Sequence, residues 1–256
     1  MKSKNSFNRK KIIYIGGYGR SGSTILALIL GQHPLILNLG EVGVLYAALK
    51  DNRKCTCGES FFNCSFWSEL INSNDLIDGE LKNRLLDPNL NVSEVLNYVD
   101  SVSDINCYVD ATKTAWRNLL RPLKLFLSGY DVRLIHLLRK QSEVIKSAKK
   151  GKNTDLEFNI PFNDKFVVPK TIISYQISNI ITRIYALLFK KKYLLINYED
   201  FLENPINCLK KLQKFVNIDL DCLKLYLDGK HELATGHQIN GNRLLRSKKI
   251  YFKTCN

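Results

Sequence analysis

The segment Gly17-Tyr18-Gly19-Arg20-Ser21-Gly22-Ser23-Thr24 carries the densest chemistry in the chain. Glycines let backbone N–H groups close around anionic oxygens, and a helix starting beyond them adds partial positive charge. Gly17, Gly19 and Gly22 satisfy the dinucleotide pattern GxGxxG, and Gly17 and Gly22 also match the spacing of the triphosphate loop GxxxxGK[ST]. Ser23 stands where the second pattern needs a lysine, which argues against ordinary ATP or GTP hydrolysis. Arg20 and the hydroxyls of Ser21, Ser23 and Thr24 suit a terminal anion held without that lysine. The dinucleotide reading wants an acid about 20 residues on, after the second strand. Glu41 lies near that distance, but Asn38-Leu39-Gly40-Glu41 reads as a loop entering a helix. The turn is therefore read as an anion cradle.

Two further groups of residues bear on chemistry. Arg139 leaves an apolar run at residues 132–138, and Ser147 follows eight residues later inside a helical pattern. An arginine and a hydroxyl so placed grip one phosphate from two sides. Cys55, Cys57 and Cys64 lie close together in CTCGESFFNC, offering three thiolates where a structural zinc takes four ligands. His33 is the candidate for the fourth, although a histidine before Pro34 at a helix end has a simpler role. We read the three as free, packed thiols, with a disulfide and a metal as the weaker alternatives. His136 sits within an apolar strand and reads as a satisfied core histidine; Trp67 and Trp116 read as packing residues.

The elements that must position these groups follow from periodicity. Strands are expected at residues 11–15, 107–109, 132–138 and 193–196, nearly continuous in apolar character. Such strands separated by helical patterns point to a parallel sheet covered on both faces. Helices are expected at 41–50, 93–103, 115–128, 141–149, 171–189 and 205–216, the fifth buried along its Ile and Leu side. Residues 153–168 are polar, carry Pro161 and read as a loop or lid. The 38 Lys+Arg against 24 Asp+Glu give a formal net charge of +14, which asks for an anionic partner. No aromatic-interleaved basic tract stands out, so nucleic acid is not the expected partner. Lys190–Lys192 ends the long helix, where cations complement the dipole. The apolar run at 24–30 is far short of a membrane span, and the N-terminal apolar stretch is too short for a signal-peptide core. A cytoplasmic protein with reduced thiols is expected.

Taken together, the turn and the Arg139 segment resemble the sulfotransferases that use 3′-phosphoadenosine-5′-phosphosulfate (PAPS). In that family a loop like GYGRSGSTIL binds the 5′-phosphosulfate, and a segment like RLIHLLRKQSEVIKS binds the 3′-phosphate. The resemblance implies Gly19, Arg20, Ser21, Gly22, Ser23 and Thr24 for the first role, and Arg139 with Ser147 for the second. Four more segments are similar to the branch of bacterial and tyrosylprotein sulfotransferases. HPLILNLGEV resembles a glutamate-bearing loop, here with Glu41, and VDATKTAWR retains Asp110, Thr112 and Lys113. INYEDFLENP resembles a tyrosine-bearing segment, here with Tyr198. HQINGNRLLR resembles a loop that closes over the nucleotide, here with His237, Gly241, Asn242 and Arg246.

The resemblance implies an α/β, P-loop-like three-layer fold with a central, mainly parallel sheet flanked by helices, forming one domain over residues 1–256. It also implies in-line transfer of a sulfuryl group from PAPS to a hydroxyl or amine of a small-molecule, glycan or peptide acceptor. The small-molecule branch carries a catalytic histidine after its Lys-Thr pair, but Ala115 follows Lys113-Thr114 here. Glu41 is therefore the expected base, with His237 next, while Lys113 and Arg20 stabilise charge. No metal is demanded, because Lys113, Arg20 and Arg139 balance the donor's charge. Two competing readings are a nucleotide kinase or NTPase of related fold and a non-catalytic basic nucleotide-binding module.

Overall fold

The protein is described here from a computed structural model, which covers residues 10–72, 92–115, 118–150, 166–239 and 243–254. The expected lid at 153–168 falls almost wholly outside these residues, as do Trp116, Gly241 and Asn242.

Strand β1 (Lys11–Gly16) forms the centre of a five-stranded sheet. It pairs in parallel with β3 (Cys107–Asp110) on one side and β4 (Asp131–Leu138) on the other. β2 (Leu37–Asn38) adds to β3, and β5 (Tyr193–Asn197) adds to β4, both in parallel. Both faces of β1 are buried: Ile13 and Ile15 enter one core, Ile12 and Tyr14 the other. That explains why the strand sequence does not alternate between apolar and polar. Two residues are too few to leave a periodic trace, so β2 escapes sequence reading.

The order β2-β3-β1-β4-β5 excludes the dinucleotide reading of the glycine turn. That fold pairs its second strand with its first, whereas β3 lies between them here. The loop after β1 instead opens between β3 and β4, the strands that leave from opposite sides of it.

Helix α1 (Ser23–Leu30) is buried from Ile25 through Leu30 under the sheet. The expected helix at 41–50 forms in two steps, a 3-10 turn at Val42–Val44 and then α2 (Leu45–Lys50). The Gly43 N–H is drawn away to Thr112 Oγ1 at 2.8 Å. α3 (Ser65–Asn72) and α4 (Val92–Val102) follow. The helix expected at 115–128 is shortened to α5 (Arg121–Phe126). Pro122 lies in its first turn and cannot continue a helix arriving from upstream, because it lacks the N–H and crowds the preceding residue. α6 (Gln141–Lys150) and α7 (Val167–Leu188) lead to β5, and α8 (Tyr198–Glu203) and α9 (Pro205–Val216) close the core that Ile13 and Ile15 enter. No helix among the described residues is long and apolar enough to cross a membrane.

The expectation for α7 is corrected: the helix buries its polar face. Thr171, Ser174, Tyr175, Ser178, Asn179, Thr182 and Tyr185 face inward, while Ile173, Ile177, Ile180, Ile184 and Leu187 are exposed. The reason is hydrogen bonding to chain ends that the sheet leaves unpaired. Ser178 Oγ donates to the Thr114 carbonyl at 2.5 Å, Tyr175 to the Arg139 carbonyl at 2.7 Å and Tyr185 to the Leu119 carbonyl at 3.0 Å. Buried carbonyls without partners are costly, and α7 meets that demand at the C-terminal ends of β3 and β4.

His136 belongs to the same network, as a core histidine whose ring nitrogens are both engaged. Nε2 lies 2.8 Å from Asn179 Oδ1, which accepts, and Nδ1 lies 2.7 Å from the Tyr193 hydroxyl, which donates. Burial holds this imidazole below the ordinary histidine value. The unfolded chain therefore takes up a proton near pH 6.5 that the folded protein refuses. Stability contributed by neutral His136 is present above that pH and lost as pH falls toward the depressed value. The limiting slope is about 1.4 kcal/mol per pH unit. Thermal melts of the protein and of His136→Gln from pH 7.5 to 5 should show a steeper loss in the unaltered protein. Parallel curves would remove His136 from this role.

Candidate active site

Three chain segments converge at the C-terminal end of β1. The first is the glycine turn itself. Gly22, at φ +94°, stands at the N-cap of α1, and a Cβ there would overlap the Tyr198 ring. Beyond it the first N–H groups of α1 have no helical carbonyl to reach, so this end offers donors to an anion. Ser23 and Thr24 open that helix, and Ser21 is buried beneath the turn.

The second segment follows β3. Asp110 is buried, accepts from Thr112 through both N–H and hydroxyl, at 2.9 and 2.5 Å, and pairs with buried Arg121 at 2.7 Å. Breaking a buried pair of this kind costs about 3–5 kcal/mol, so the turn is held firmly. Thr114 Oγ1 meets the Tyr14 hydroxyl at 2.9 Å, and its N–H donates to the Gly17 carbonyl at 3.1 Å. Between these anchors the Lys113 side chain is laid across Gly19, so closely that a Cβ on Gly19 would sit 2.9 Å from Lys113 Cδ. Lys113 thus brings a cation to the turn from another strand, where Ser23 replaces the lysine of the triphosphate loop.

Glu41 arrives from the edge of the sheet. Gly40 bridges to Ile239, and the Glu41 N–H donates to the Ile239 carbonyl at 2.8 Å. The Glu41 carboxylate then meets Lys113 Nζ at 3.0 and 3.4 Å. Glu41 stands at the N-cap of the 3-10 turn that follows, without a side-chain hydrogen bond to it.

The third segment joins β4 to α6. Arg139 donates to the Arg20 carbonyl at 3.0 Å, and Arg20 donates to the Ser147 carbonyl at 2.8 Å. Arg20 adopts a left-handed backbone, φ +67°, which costs a non-glycine residue about 1–2 kcal/mol. These ties to α6 hold it there. The Arg139 guanidinium lies 4.8 Å over the Tyr198 ring. The Arg20 side chain is thus directed toward the Ser147 carbonyl, next to the turn, and its backbone carbonyl toward Arg139.

A turn with its own cation, a carboxylate beside it and an arginine pair to one side is a bounded anion site. The model of the Sulfotransferase family matches residues 13–221, a stretch that contains all of it except the Ile239 anchor. The chain belongs to the sulfotransferase family. No curated protein matches it in sequence. Among solved structures it is similar to the sulfotransferase domain of the Synechococcus PCC 7002 olefin synthase, at 17% identity and a TM-score of 0.62, covering 97% of this chain and 86% of that one. The sulfotransferase domain of the curacin biosynthetic pathway gives 20% identity and 0.63 over 95% and 84% of the two chains. Mouse sulfotransferase SULT7A1, complexed with PAP, gives 13% and 0.52 over 93% and 74%. At these identities the likeness establishes the fold: a parallel sheet flanked by helices, P-loop-like.

This sulfotransferase therefore brings together Gly19 through Thr24, Lys113, Glu41, Arg139, Tyr198 and the Ser147 backbone. Asn242 lies outside the described residues, and of Arg246 only the backbone, in a 3-10 turn at Arg243–Arg246, is described. His237, the second candidate base, is turned elsewhere: its Nδ1 lies 3.1 Å from Cys64 Sγ. His33, the suggested partner of the cysteines, is not near them. Its ring nitrogens meet the Asp219 carbonyl at 2.8 Å and the Leu35 N–H at 3.1 Å. Sequence reasoning missed Arg121, Tyr14, Ser178 and Tyr175, which hold the site's segments in place. The one signal for the last two was the polar stripe of α7, at helical spacing.

Proposed function

We propose that this sulfotransferase takes a sulfuryl group from PAPS and passes it to a hydroxyl or amine of a small-molecule, glycan or peptide acceptor. The observation that carries the reading is the Glu41–Lys113 pair at the mouth of the glycine turn, with Lys113 laid over Gly19. The family supports the reaction class, and the complex of the mouse neighbour with PAP supports the donor class.

PAPS supplies the sulfuryl group when bound. Sulfuryl transfer resembles loose phosphoryl transfer, in which positioning and charge stabilisation do most of the catalysis. The amides of the turn and the hydroxyls of Ser21, Ser23 and Thr24 hold the phosphosulfate. Lys113 neutralises charge that grows on the leaving phosphate oxygen. As Lys113 turns toward that oxygen it releases Glu41, whose carboxylate takes the proton from the acceptor. Arg139 and Ser147 bind the 3′-phosphate, with Arg20 beside them. Arg139 Nε supports this, since it is buried without a hydrogen-bond partner among the described residues. The resemblance gives Asn242 and Arg246 the part of closing over the nucleotide. No metal takes part in these steps.

The test uses radiolabelled PAPS with a fractionated extract, followed by identification of the labelled product. A kinase would transfer phosphate from ATP with Mg²⁺ instead, and a binding module would transfer nothing. Arg139→Ala should weaken binding of adenosine 3′,5′-bisphosphate by roughly ten- to a hundredfold, from the loss of a charge-assisted bond. AMP, lacking the 3′-phosphate, should lose far less. Equal losses in titration calorimetry would remove the 3′-phosphate assignment.

A further inference from the structure

Away from the glycine turn, four metal-ligating side chains meet that the proposed chemistry does not use. Cys55, Cys57, Cys64 and His237 bring their ligand atoms within 4.8 Å of one another, with Cys64 Sγ and His237 Nδ1 at 3.1 Å. A tetrahedral zinc with Zn–S near 2.3 Å and Zn–N near 2.0 Å separates its ligand atoms by roughly 3.5–3.8 Å. Small side-chain adjustments convert the one arrangement into the other. The residues come from distant parts of the chain, 173 positions apart for Cys64 and His237, so their meeting is a product of the fold.

The backbone around them is shaped as a ligand-bearing knuckle. Lys54 bridges to Ser60 in antiparallel fashion, the Cys55 N–H donates to the Glu59 carbonyl at 2.8 Å, and the Gly58 N–H returns to the Cys55 carbonyl at 2.9 Å. Gly58 takes φ +95° to close this turn. Opposite it, the His237 segment is fixed independently of any metal. Thr56 Oγ1 donates to the Gly236 carbonyl at 2.7 Å and accepts from the Gln238 N–H at 2.9 Å, while Trp67 Nε1 donates to the His237 carbonyl at 3.1 Å. The Phe66 ring stacks on the His237 ring. The imidazole is thereby held facing the three sulfurs.

We propose that Cys55, Cys57, Cys64 and His237 form a closed structural zinc site that fastens the segment after α2 to the late loop. Three soft thiolates and one imidazole in tetrahedral reach select zinc over hard cations. Binding exchanges the thiol protons, which pass to solvent, for the metal. Two residues after His237, Ile239 pairs with Leu39 and Glu41, at 3.0 and 2.8 Å. The zinc therefore steadies the strand edge that carries the Glu41 carboxylate, without touching the reacting groups.

The full-length protein, purified without chelator and desalted after equimolar zinc, should hold one zinc per chain by plasma mass spectrometry. Cobalt in its place should give the intense visible bands and thiolate charge transfer of a tetrahedral sulfur-rich site. Cys57→Ser, at an exposed position, should lower bound zinc at least tenfold, while Cys222→Ser, equally exposed but distant, should leave it unchanged. Absence of zinc from well-folded protein, a weak octahedral cobalt spectrum, a disulfide among Cys55, Cys57 and Cys64, or full zinc in Cys57→Ser would each overturn the site.

Discussion

Glu41→Gln is expected to lower kcat at least a hundredfold while leaving folding and donor affinity near those of the unaltered protein. A positioned general base contributes ~10²–10⁴-fold, and glutamine keeps the shape and much of the hydrogen bonding but cannot take a proton. The carboxylate is buried, its backbone is anchored to Ile239, and among the described residues it pairs with Lys113 at 3.0 Å. Because the Lys113 side chain is nearly half exposed, losing that ion pair costs little stability, about 0–1 kcal/mol. A drop in turnover with an unchanged melting temperature therefore reports on chemistry. The measurements are kcat, donor Kd and Tm on the same preparations. Near-normal turnover in the variant would remove Glu41 as the base.

Lys113→Ala is expected to lower kcat by roughly 10²–10³-fold, the range seen when one charge-stabilising donor is deleted. Donor affinity should change by only a few-fold. The distinction follows from where the ammonium rests: in the absence of donor it is already paired with Glu41. Turning to the donor exchanges one anionic partner for another, and its advantage grows only as the leaving oxygen gains charge. A fall in kcat and kcat/KM together marks an interaction made in the transition state. A change confined to donor KM would make Lys113 a binding residue and overturn this role. The paired structure also predicts that the two substitutions are not independent, since each removes the other's partner.

The parts of the site that the sequence revealed are those written locally. Gly17, Gly19, Gly22 and the run into α1 lie within a few residues of one another, so composition and spacing suffice to read strand, turn and helix. Arg139 after β4 and Ser147 in α6 were legible for the same reason. The apolar strands announced a parallel sheet because both faces of β1 and β4 are buried. Where local pattern met a tertiary demand, it misled. The isoleucines of α7 promised a buried apolar side, yet the carbonyls of Thr114, Leu119 and Arg139 required donors, and the polar side was turned inward.

Pairings across the chain were beyond sequence reading altogether. Glu41 and Lys113 are 72 positions apart, and no periodicity relates them. Only the placing of β2 beside β3, with Ile239 bridging to Gly40, brings the carboxylate to the ammonium. The cysteines were visible as a cluster read as free thiols; the histidine weighed beside them, His33, bonds elsewhere, and it is His237 that faces them. Residue type and spacing by themselves determined that this chain would build a glycine turn between a strand and a helix on a buried parallel sheet, because those preferences are set by backbone sterics and burial over short stretches. Which lysine faces that turn, which carboxylate faces the lysine and which histidine faces the thiols were decided by strand order and by hydrogen-bond satisfaction at the strand ends, which exist only once the whole chain has folded.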